Sequence, residues 1–512
     1  MTLDIIESSS LIIDVDELRS LSEVAFKMLK HVFTYKNPKY IENEKWGYSN
    51  YETPKHLFSY EIHDGKMYIS RGGLAAVERE LFKFKIETNV IDRTLVCEPV
   101  DFSQSNVTRR DDQQTFIEEL RRYTTGCGVA YTSFGKTLTM LELAAEIKQP
   151  TLILVHTTFL QEQWIKEATE QKLFNLDLED IGGVGGVFGT AKNFKEVFGK
   201  DKKHEKRRYR KLNICLYHSL SNPEHLEFFK DRIGLVLFDE GQKSPIEGVQ
   251  QVVNHFRARY RYTVSAQLKR KDGKEFLTFD TFGPVRTRAR ETNSDSKIQC
   301  NIQLVLTKYD DLHYDDDQNY SAMITRMAKD HPRNILICKR VIKRIKRGDL
   351  CIIFVERKEH AGILAKMLSK FRVQLLTGPI NKDDIESIKI KSVRKILKDY
   401  DNTKAYDTIT KLAEKKELDV IIGTQKAEVG LSIRTLNYGI ATTPMNNEER
   451  FTQIRGRIER TYSSEQVKYF GHKKPTPLLE VLYDKNLSPS SSGAEKIKEK
   501  YSKRVRVIKP KD

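Results

Sequence analysis

Two series of short apolar runs, separated by longer segments with helical periodicity, set the pattern of the chain from about residue 109 onward. The runs are at 151–155, 213–217, 235–238 and 262–264, and then at 349–355, 373–376, 419–422 and 438–441. Nearly continuous apolar strands followed by helices indicate parallel sheets that are covered on both faces. We therefore expect two consecutive α/β domains, at 109–300 and 301–483.

Residues 1–108 follow a different pattern. Apolar runs at 11–15 and 67–70 are bounded by turn signals, and the second run leads into Arg71-Gly72-Gly73. Apolar residues at helical spacing predict one helix near 18–33. This mixture predicts a small α+β module ahead of the two α/β domains.

The charge balance indicates which class of partner the protein binds. The 512 residues include 88 lysines and arginines against 71 aspartates and glutamates, a net charge of +17. A basic excess of this size favours polyanions, chiefly nucleic acid, because neutralising phosphates releases condensed counterions. A basic composition shared by a whole host proteome would give the same number without any functional meaning.

The chain has the composition of a globular protein without a membrane segment. No run of eighteen apolar residues is present, and the N-terminus is acidic rather than basic and then apolar, so we expect neither a membrane span nor secretion. The six cysteines form no CxxC pair or histidine cluster. Scattered thiols of this kind suit a reducing compartment, and we expect a cytoplasmic protein (the host cytoplasm, if the source is viral).

Three segments concentrate the positive charge. Residues 200–211 and 496–511 each hold eight lysines and arginines, and 339–347 holds six, on the polar face of an amphipathic helix. Each segment is either a solvated surface or a track for phosphates. The serine-rich stretch 488–493 resembles a linker, so we expect 484–512 to be a flexible basic tail.

The first candidate site is the loop Ala130-Tyr-Thr-Ser-Phe-Gly135-Lys136-Thr137, between a candidate strand and a candidate helix. A small residue, four others and then Gly-Lys-Thr form the phosphate-loop pattern. Backbone N–H groups at a helix start point toward an anion there. In this interpretation Lys136 binds the β- and γ-phosphates of ATP, and the Thr137 hydroxyl binds Mg²⁺.

The second candidate site follows the apolar run 235–238 and consists of Asp239 and Glu240. Acids at the carboxyl end of a strand lie where open α/β sheets bind their ligands, beside the phosphate loop. We expect Asp239 to hold Mg²⁺ and Glu240 to orient and deprotonate the attacking water.

The third candidate site is in the second α/β domain, in Gln453-Ile-Arg-Gly-Arg457-Ile-Glu-Arg460. Spacings of four and three residues place Gln453, Arg457 and Arg460 on one face of a helix. Arginines of this kind stabilise the charge that spreads over the γ-phosphoryl oxygens during hydrolysis. A solvated basic helix face is the alternative.

With these three sites in order, the chain resembles the superfamily 2 helicases, especially the branch of XPB-like helicases and phage helicases that remodel branched DNA. Further segments are similar to motifs of that superfamily: Arg110-Asp-Asp-Gln113, which in relatives reads the adenine; 155–164, which touches the nucleic-acid backbone; Ser265-Ala-Gln267; Arg270-Lys-Asp272; 353–356; and 423–432. The resemblance implies two tandem RecA-like parallel-sheet domains after an N-terminal DNA-recognition module, with Gln113 and Gln453 as further nucleotide-binding residues.

Several positions depart from the pattern of these relatives. Gln242 ends the acidic motif where relatives usually carry histidine, and Gln267 replaces the usual threonine. Ser432 stands where many relatives carry aspartate. Residues 200–211 and 381–417 resemble insertions. A glutamine at 242 still donates and accepts hydrogen bonds, so we expect hydrolysis to be retained.

The resemblance implies an ATP-dependent DNA helicase or translocase that acts on duplex or branched DNA, in repair, recombination or replication-fork remodelling, including branch migration. Two alternatives stay open. An RNA helicase has the same motor, because a preference for the 2′-hydroxyl is not visible in sequence. A non-catalytic nucleic-acid-binding scaffold would retain the shape of the motor without its turnover.

Overall fold

Two units divide the chain, Met1–Glu291 and Thr292–Asp512. The computed structural model describes residues 1–102, 109–131, 134–169, 174–243, 247–270, 272–289, 298–311, 314, 319–378, 380–400, 405–415, 417–424 and 433–509. No helix in these ranges is both long and apolar enough to cross a membrane. Short 3-10 helices lie at Arg71–Gly73, Leu178–Asp180, Gly186–Phe188, Lys230–Arg232 and Gly241–Lys243.

The N-terminal part of the first unit is a small mixed module, as predicted. Its strands are β1 (Thr2–Glu7), β2 (Leu11–Asp14), β3 (Thr34–Lys36), β4 (His56–Phe58), β5 (Tyr60–His63), β6 (Lys66–Ile69) and β7 (Glu87–Asp92). Its helices are α1 (Val15–Leu21), α2 (Glu23–Val32), α3 (Pro38–Trp46) and α4 (Leu74–Lys83). The sheet order is β5-β6-β2-β1-β7, and β3 pairs with β4 separately. Leu18, Phe26 and Leu81 are buried in its apolar core.

The single helix predicted near 18–33 is two helices, α1 and α2. Ser22 adopts an extended conformation between them, and its hydroxyl accepts a hydrogen bond from Ala25 N at 3.1 Å. A serine at this position satisfies one of the free N–H groups at the start of α2. Both helices keep their apolar residues on the core side, so the apolar spacing was correct and the continuity was wrong.

Arg71 fixes this module to the large sheet of the same unit. The residue is 1% exposed; its guanidinium lies 2.7 Å from Glu7 and donates hydrogen bonds to the carbonyl oxygens of Ala258 and Arg259. At Gly72 a Cβ atom would come within 2.2 Å of Gly283 N, so only glycine permits this approach. Buried contacts therefore join the N-terminal module to the α/β part of the same unit.

The large sheet of the first unit confirms the predicted parallel α/β architecture. Its strands are β8 (Thr125–Val129), β9 (Thr151–Val155), β10 (Ile181–Val184), β11 (Arg207–Arg208), β12 (Leu212–Leu216), β13 (Leu235–Asp239), β14 (Tyr260–Ser265) and β15 (Val285–Arg288). The helices are α5 (Asp111–Arg121), α6 (Lys136–Ile147), α7 (Thr158–Thr169), α8 (Ala191–Phe198), α9 (Tyr217–Leu220), α10 (Pro223–Phe229), α11 (Glu247–His255) and α12 (Glu275–Phe282). The order is β11-β10-β12-β9-β13-β14-β8-β15. The carboxyl ends of β8, β13 and β14 consequently meet at one edge.

The second unit contains another parallel sheet, in the order β18-β19-β17-β20-β21-β16-β22. Its strands are β16 (Asn301–Leu306), β17 (Leu350–Phe354), β18 (Val373–Leu376), β19 (Val420–Gly423), β20 (Leu436–Ala441), β21 (Leu478–Tyr483) and β22 (Val505–Ile508). Its helices are α13 (Tyr320–Lys329), α14 (His331–Ile345), α15 (Lys358–Met367), α16 (Lys382–Glu386), α17 (Lys391–Lys398), α18 (Ala405–Glu414), α19 (Glu448–Ile458), α20 (Ser464–Phe470) and α21 (Ser488–Lys500). Apolar clusters line both faces of this sheet.

The structure differs from the expected flexible tail at 484–512. The serine-rich stretch begins α21, and β22 pairs in parallel with β16 at the sheet edge. A Cβ atom at Gly493 would lie 2.5 Å from Asn446 Oδ1, and Ala494 and Ile497 are buried. The small residues that resembled a linker are small because this helix packs closely against its unit.

Two of the basic segments are partly used inside the fold. Arg208, in segment 200–211, is 2% exposed and lies 2.6 Å from Glu179. Arg340, in segment 339–347, bonds to Glu480 on β21. These two arginines are therefore structural, and the choice between a solvated surface and a phosphate track applies only to the remaining members of each segment.

Candidate functional site

The predicted phosphate loop runs from the end of β8 to the start of α6, with Thr132 and Ser133 outside the described residues. Lys136 is the first residue of α6, and Gly135 precedes it with a φ of +87°. A Cβ at Gly135 would come within 2.9 Å of Gln113 Nε2. Glycine is thus required here both for its left-handed backbone and for the close approach. Lys136 and Thr137 both lie in the first turn of the helix, where the dipole favours an anion.

Gln113 and Arg110 hold this loop from below. The carbonyl oxygen of Phe134 accepts hydrogen bonds from Gln113 Nε2 and from an Arg110 guanidinium nitrogen, each at 2.8 Å. Ala130 N donates to Ser265 O at 2.9 Å, which joins the loop to β14. The structure therefore places Gln113 against the loop, where it positions the backbone; its predicted role toward the nucleotide base stays a prediction.

Asp239 ends β13 and is surrounded by parallel strands on both sides. Its Oδ2 accepts a hydrogen bond from Trp164 Nε1 at 2.9 Å. Burial, reinforced by the charge of Glu240, raises the pKa of Asp239 to about 6, and Trp164 and Lys136 oppose this rise. The Lys136 ammonium is close enough to Asp239 to act on its charge, so the structure brings the first two predicted sites together.

Trp164 is a neighbour of the candidate site that the sequence prediction missed. Its segment was included among the motifs, but the indole N–H was not assigned to the acidic pair. A tryptophan in the helix after β9 is the available signal, because β9 lies next to β13. The indole N–H bonds to one of the two carboxylate oxygens of Asp239, Oδ2.

Glu240 is a non-glycine residue with a φ of +65°. Left-handed backbone at such a residue is uncommon and concentrates at functional positions. Gln242 Nε2 donates to Glu240 Oε2 at 2.6 Å, and the Ser265 hydroxyl donates to Gln242 Oε1. Gln242 therefore connects the candidate water-activating carboxylate to the end of β14.

Arg270 adds a further connection to this network. Its guanidinium donates to the carbonyl oxygen of Gln242 and pairs with Asp272 at 2.6 Å. Ser265 Oγ also accepts a hydrogen bond from Gln267 N at 3.1 Å. The departure at Gln242 is thus accommodated, since its amide provides both a donor and an acceptor, whereas Gln267 contributes its backbone N–H.

A divalent cation at this edge would need oxygen ligands from outside the protein. Among the described residues, no group of three or more His, Cys, Asp or Glu side chains is arranged to hold a metal ion. Magnesium is usually bound by one or two protein oxygens together with phosphate oxygens and water. Asp239 and Thr137 fit that pattern, because they offer one carboxylate and one hydroxyl beside the phosphate loop.

The second unit places Gln453 and Arg457 four residues apart on α19. The spacing predicted Arg460 on the same helix face, but the helix ends at Ile458 and Arg460 lies beyond it, so this part of the prediction was wrong. Lys474 Nζ donates to the carbonyl oxygens of Ile458 and Arg460, each at 2.8 Å. Burial lowers the pKa of Lys474 to about 7, and the Arg460 charge contributes. This lysine fixes the backbone that carries Arg460.

Glu459 anchors the same helix end to its sheet. It is 1% exposed, accepts a hydrogen bond from Cys300 N at 3.1 Å and lies 3.3 Å from Arg455. Arg455 also packs over the Tyr501 ring at 4.9 Å. The arginine segment is therefore held on two sides within its own unit. The predicted motif at 423–432 lies outside the described residues from 425 onward.

Two protein families match the chain in the order of these sites. The family described as "Type III restriction enzyme, res subunit" matches residues 106–270, and "Helicase conserved C-terminal domain" matches residues 333–462. The first match includes the phosphate loop and the acidic pair. The second includes the arginine segment.

Individual relatives are distant. The DNA 3'-5' helicase XPB of Kineococcus radiotolerans is 24% identical over 245 residues, which are 45% of this chain and 40% of that protein. The DNA 3'-5' translocase XPB2 of Sulfurisphaera tokodaii is 26% identical over 209 residues, 41% of this chain and 40% of that protein. The putative helicase 161L of Invertebrate iridescent virus 6 is 24% identical over 382 residues, 74% of this chain and 75% of that protein. The matched part of the chain thus spans less than half of the first two relatives.

Proposed function

Because this chain belongs to superfamily 2 of the helicases, we infer that it is an ATP-driven motor that translocates on DNA. The observation that carries this proposal is the cluster of Lys136, Asp239 and Glu240 at one edge of the first unit's large sheet. Lys136 acts on the charge of Asp239, and Glu240 is tied through Gln242 to Ser265. A protein that used ATP only as a structural ligand would have no need of a positioned water-activating carboxylate.

In this proposal each residue of the cluster has a separate task. Lys136 and the N–H groups at the start of α6 bind the β- and γ-phosphates. Asp239 and Thr137 would hold Mg²⁺, which neutralises the charge that develops on the phosphoryl oxygens. Glu240 orients the attacking water and accepts its proton. Gln242 keeps Glu240 in position.

For the second unit we propose that Arg457 and Arg460 stabilise the transition-state charge and that Gln453 binds the nucleotide. This part rests on the sequence pattern, and it is supported by the anchoring of the Arg460 backbone through Lys474. Arginine in this role increases hydrolysis by about 10³- to 10⁵-fold in other phosphoryl-transfer enzymes. Hydrolysis then shifts the population between states of different affinity for the strand, which produces a step.

The proposed substrate is duplex or branched DNA, in repair, recombination or replication-fork remodelling, with branch migration as one outcome. Two observations support DNA: the net charge of +17 and the DNA activities in the printed names of two relatives. All six cysteines are free thiols, which supports a reducing, cytoplasmic location as part of the same proposal.

Steady-state ATP hydrolysis tests this function. The rate would be measured without polymer and with single-stranded DNA, duplex DNA, a four-way junction or RNA, with Lys136→Ala as the blank. We expect duplex or junction DNA to stimulate turnover, and the variant to show none. Stimulation by RNA alone would make the protein an RNA helicase. No turnover on any polymer would leave a nucleic-acid-binding scaffold.

A further inference from the structure

The segment between α2 and β5 exposes four large aromatic side chains. Trp46, Tyr48, Tyr51 and Phe58 are 62%, 68%, 95% and 60% exposed. Residues 34–58, here called the aromatic platform, consist of β3, α3, β4 and their connections, and α3 contributes no buried residue. Aromatic side chains normally supply a large share of core burial. Four exposed rings so close in the sequence indicate a surface for a partner.

Polar side chains keep the aromatic platform ordered in place of an apolar core. Asn37 Nδ2 donates to Pro54 O at 2.8 Å, Asn43 Nδ2 to Asn50 Oδ1 at 2.9 Å, and Asn50 Nδ2 to Tyr40 O at 3.3 Å. These bonds join the first half of the segment, which includes α3, to its second half. The rings are therefore presented on a fixed backbone, which reduces the ordering entropy that a ligand must overcome.

The first residues of the aromatic platform pack against α12 of the same unit. The Tyr35 ring stacks on Phe276 at 3.8 Å, and its hydroxyl donates to Asp280 at 3.1 Å. Pro38 lies against Gly273, in the turn that follows Arg270 and Asp272. Arg270 in turn donates to the Gln242 carbonyl. The aromatic platform is thus attached beside the network that holds Glu240.

Charge and chemistry identify the partner. Four lysines are interleaved with the rings, against three glutamates, and the Lys45 ammonium lies 5.4 Å from the Trp46 ring centroid. Exposed rings with adjacent cations suit nucleotides whose bases are free to stack and whose phosphates are nearby. A paired base cannot offer its face to them. The near balance of lysine and glutamate also means that stacking, more than net charge, would provide the affinity.

We propose that the aromatic platform binds unpaired nucleotides of a DNA strand, by stacking bases on Trp46, Tyr48 and Tyr51. The lysines of the same segment contact the intervening phosphates. This inference rests on the proposed function for its choice of DNA, and it gives the N-terminal module a defined ligand: the single-stranded part of a fork or junction. Binding itself requires no ATP.

Tryptophan fluorescence can test the proposal directly. The chain has two tryptophans; Trp46 is exposed, whereas Trp164 is 2% exposed and bonded to Asp239. A stacked base should therefore quench Trp46 alone. The full chain would be titrated with a short single-stranded oligodeoxynucleotide without nucleotide, and the dissociation constant would be measured in parallel by anisotropy of a labelled strand. Blunt duplex DNA and single-stranded RNA would be the comparison ligands.

Tyr51→Ala and Trp46→Ala are the test variants, and Phe82→Ala is the matched control. Phe82 is 78% exposed on α4 of the same module but outside the aromatic platform. Loss of one stacked base should weaken single-strand binding by about 5- to 150-fold in each test variant. Phe82→Ala should bind as the parent does. All three rings are exposed, so the thermal midpoints should be unchanged.

Several results would overturn the inference. These are single-strand affinity unchanged in Tyr51→Ala and Trp46→Ala, quenching by RNA but not DNA, or equal quenching by blunt duplex. Quenching that depends on protein concentration without DNA would identify a second copy as the occupant instead. Tryptophan quenching and ATP turnover are independent measurements. Quenching without any turnover would contradict only the proposed function, and turnover without quenching would contradict only this inference.

Discussion

The side-chain amide of Gln242 donates a 2.6 Å hydrogen bond to Glu240 Oε2, and the Ser265 hydroxyl donates to the oxygen of the same amide. One glutamine therefore connects the end of β13 with the end of β14. The superfamily motif usually has histidine at this position, and glutamine provides both a donor and an acceptor without a titratable proton. The connection should consequently not depend on the protonation state of residue 242.

Replacement of Glu240 by glutamine should separate binding from turnover. The Glu240→Gln side chain keeps the shape but cannot accept the proton of water, so hydrolysis should fall by about 10²- to 10⁴-fold. ATP affinity, measured with a fluorescent analogue, should stay within a few fold. Lys136→Ala is the contrasting variant and should lose binding as well. Full turnover in Glu240→Gln would show that another group activates the water.

Replacement of Gln242 should lower the rate of ATP hydrolysis more than the affinity for ATP. In Gln242→Ala the Glu240 carboxylate loses a donor and Ser265 loses an acceptor, at a cost of about 1 kcal/mol for each hydrogen bond. We expect turnover to fall at least about tenfold at saturating ATP. Gln242→His, which restores the residue usual in relatives, should retain more activity than the alanine variant. Equal activity of the two variants would exclude a positioning role for this side chain.

Arg457 and Arg460 should act on the chemical step. Arg457→Ala and Arg460→Ala should each lower turnover by about 10³- to 10⁵-fold, because charge on the transferring phosphoryl group loses its partner. Nucleotide affinity should change far less. Arg434→Ala removes an exposed arginine of the same unit and should leave turnover unchanged. If Arg457→Ala and Arg460→Ala keep full turnover, as Arg434→Ala should, the arginine segment is a solvated surface.

His360 should make the second unit sensitive to acid. Burial, together with the Arg333 charge, lowers the pKa of His360 to about 3, and its Nε2 bonds to Asn334 Oδ1 at 2.8 Å. The unfolded chain binds a proton near pH 6.5, so stability from this group is complete above pH 6.5 and is lost as pH falls toward 3.

The free energy of unfolding of the second unit measures this effect. Between pH 6.5 and 5 the His360 contribution should decrease by about 2 kcal/mol. His360→Gln should lack this part of the pH dependence, whereas His472→Gln, at an exposed position, should keep it. Parallel pH profiles for the parent and His360→Gln would contradict the assignment.

Arg71 should be essential for the attachment of the N-terminal module. Arg71→Met leaves the Glu7 carboxylate and the carbonyl oxygens of Ala258 and Arg259 without their donor, and we expect a loss of about 3–5 kcal/mol in the unfolding free energy of the first unit. Arg79→Met, at an exposed position on α4, is the control. A loss below about 1 kcal/mol would mean that the module is held by its apolar contacts alone.

The pattern of apolar residues predicted the structure correctly where residues close together in the chain determine it. Continuous apolar runs predicted four strands of each parallel sheet, because buried parallel strands need apolar residues on both faces, but they did not predict the other strands of either sheet. The same reasoning failed at Ser22, where a single side-chain hydrogen bond interrupts a helix without disturbing the apolar spacing. It failed again at 488–493, because small residues suit both a linker and a closely packed helix.

The sequence by itself determined the α/β class, the Gly-Lys-Thr pattern at the start of α6, and the acidic pair at the end of β13, because each is a short pattern with a defined place on a strand or helix. Only the tertiary structure decided the partners of those groups. Trp164 reaches Asp239 from 75 residues away, and Gln242 reaches Ser265 across 23 residues. Such pairs depend on strand order and on how closely layers pack, and these follow from the burial of the whole core rather than from any segment of the chain.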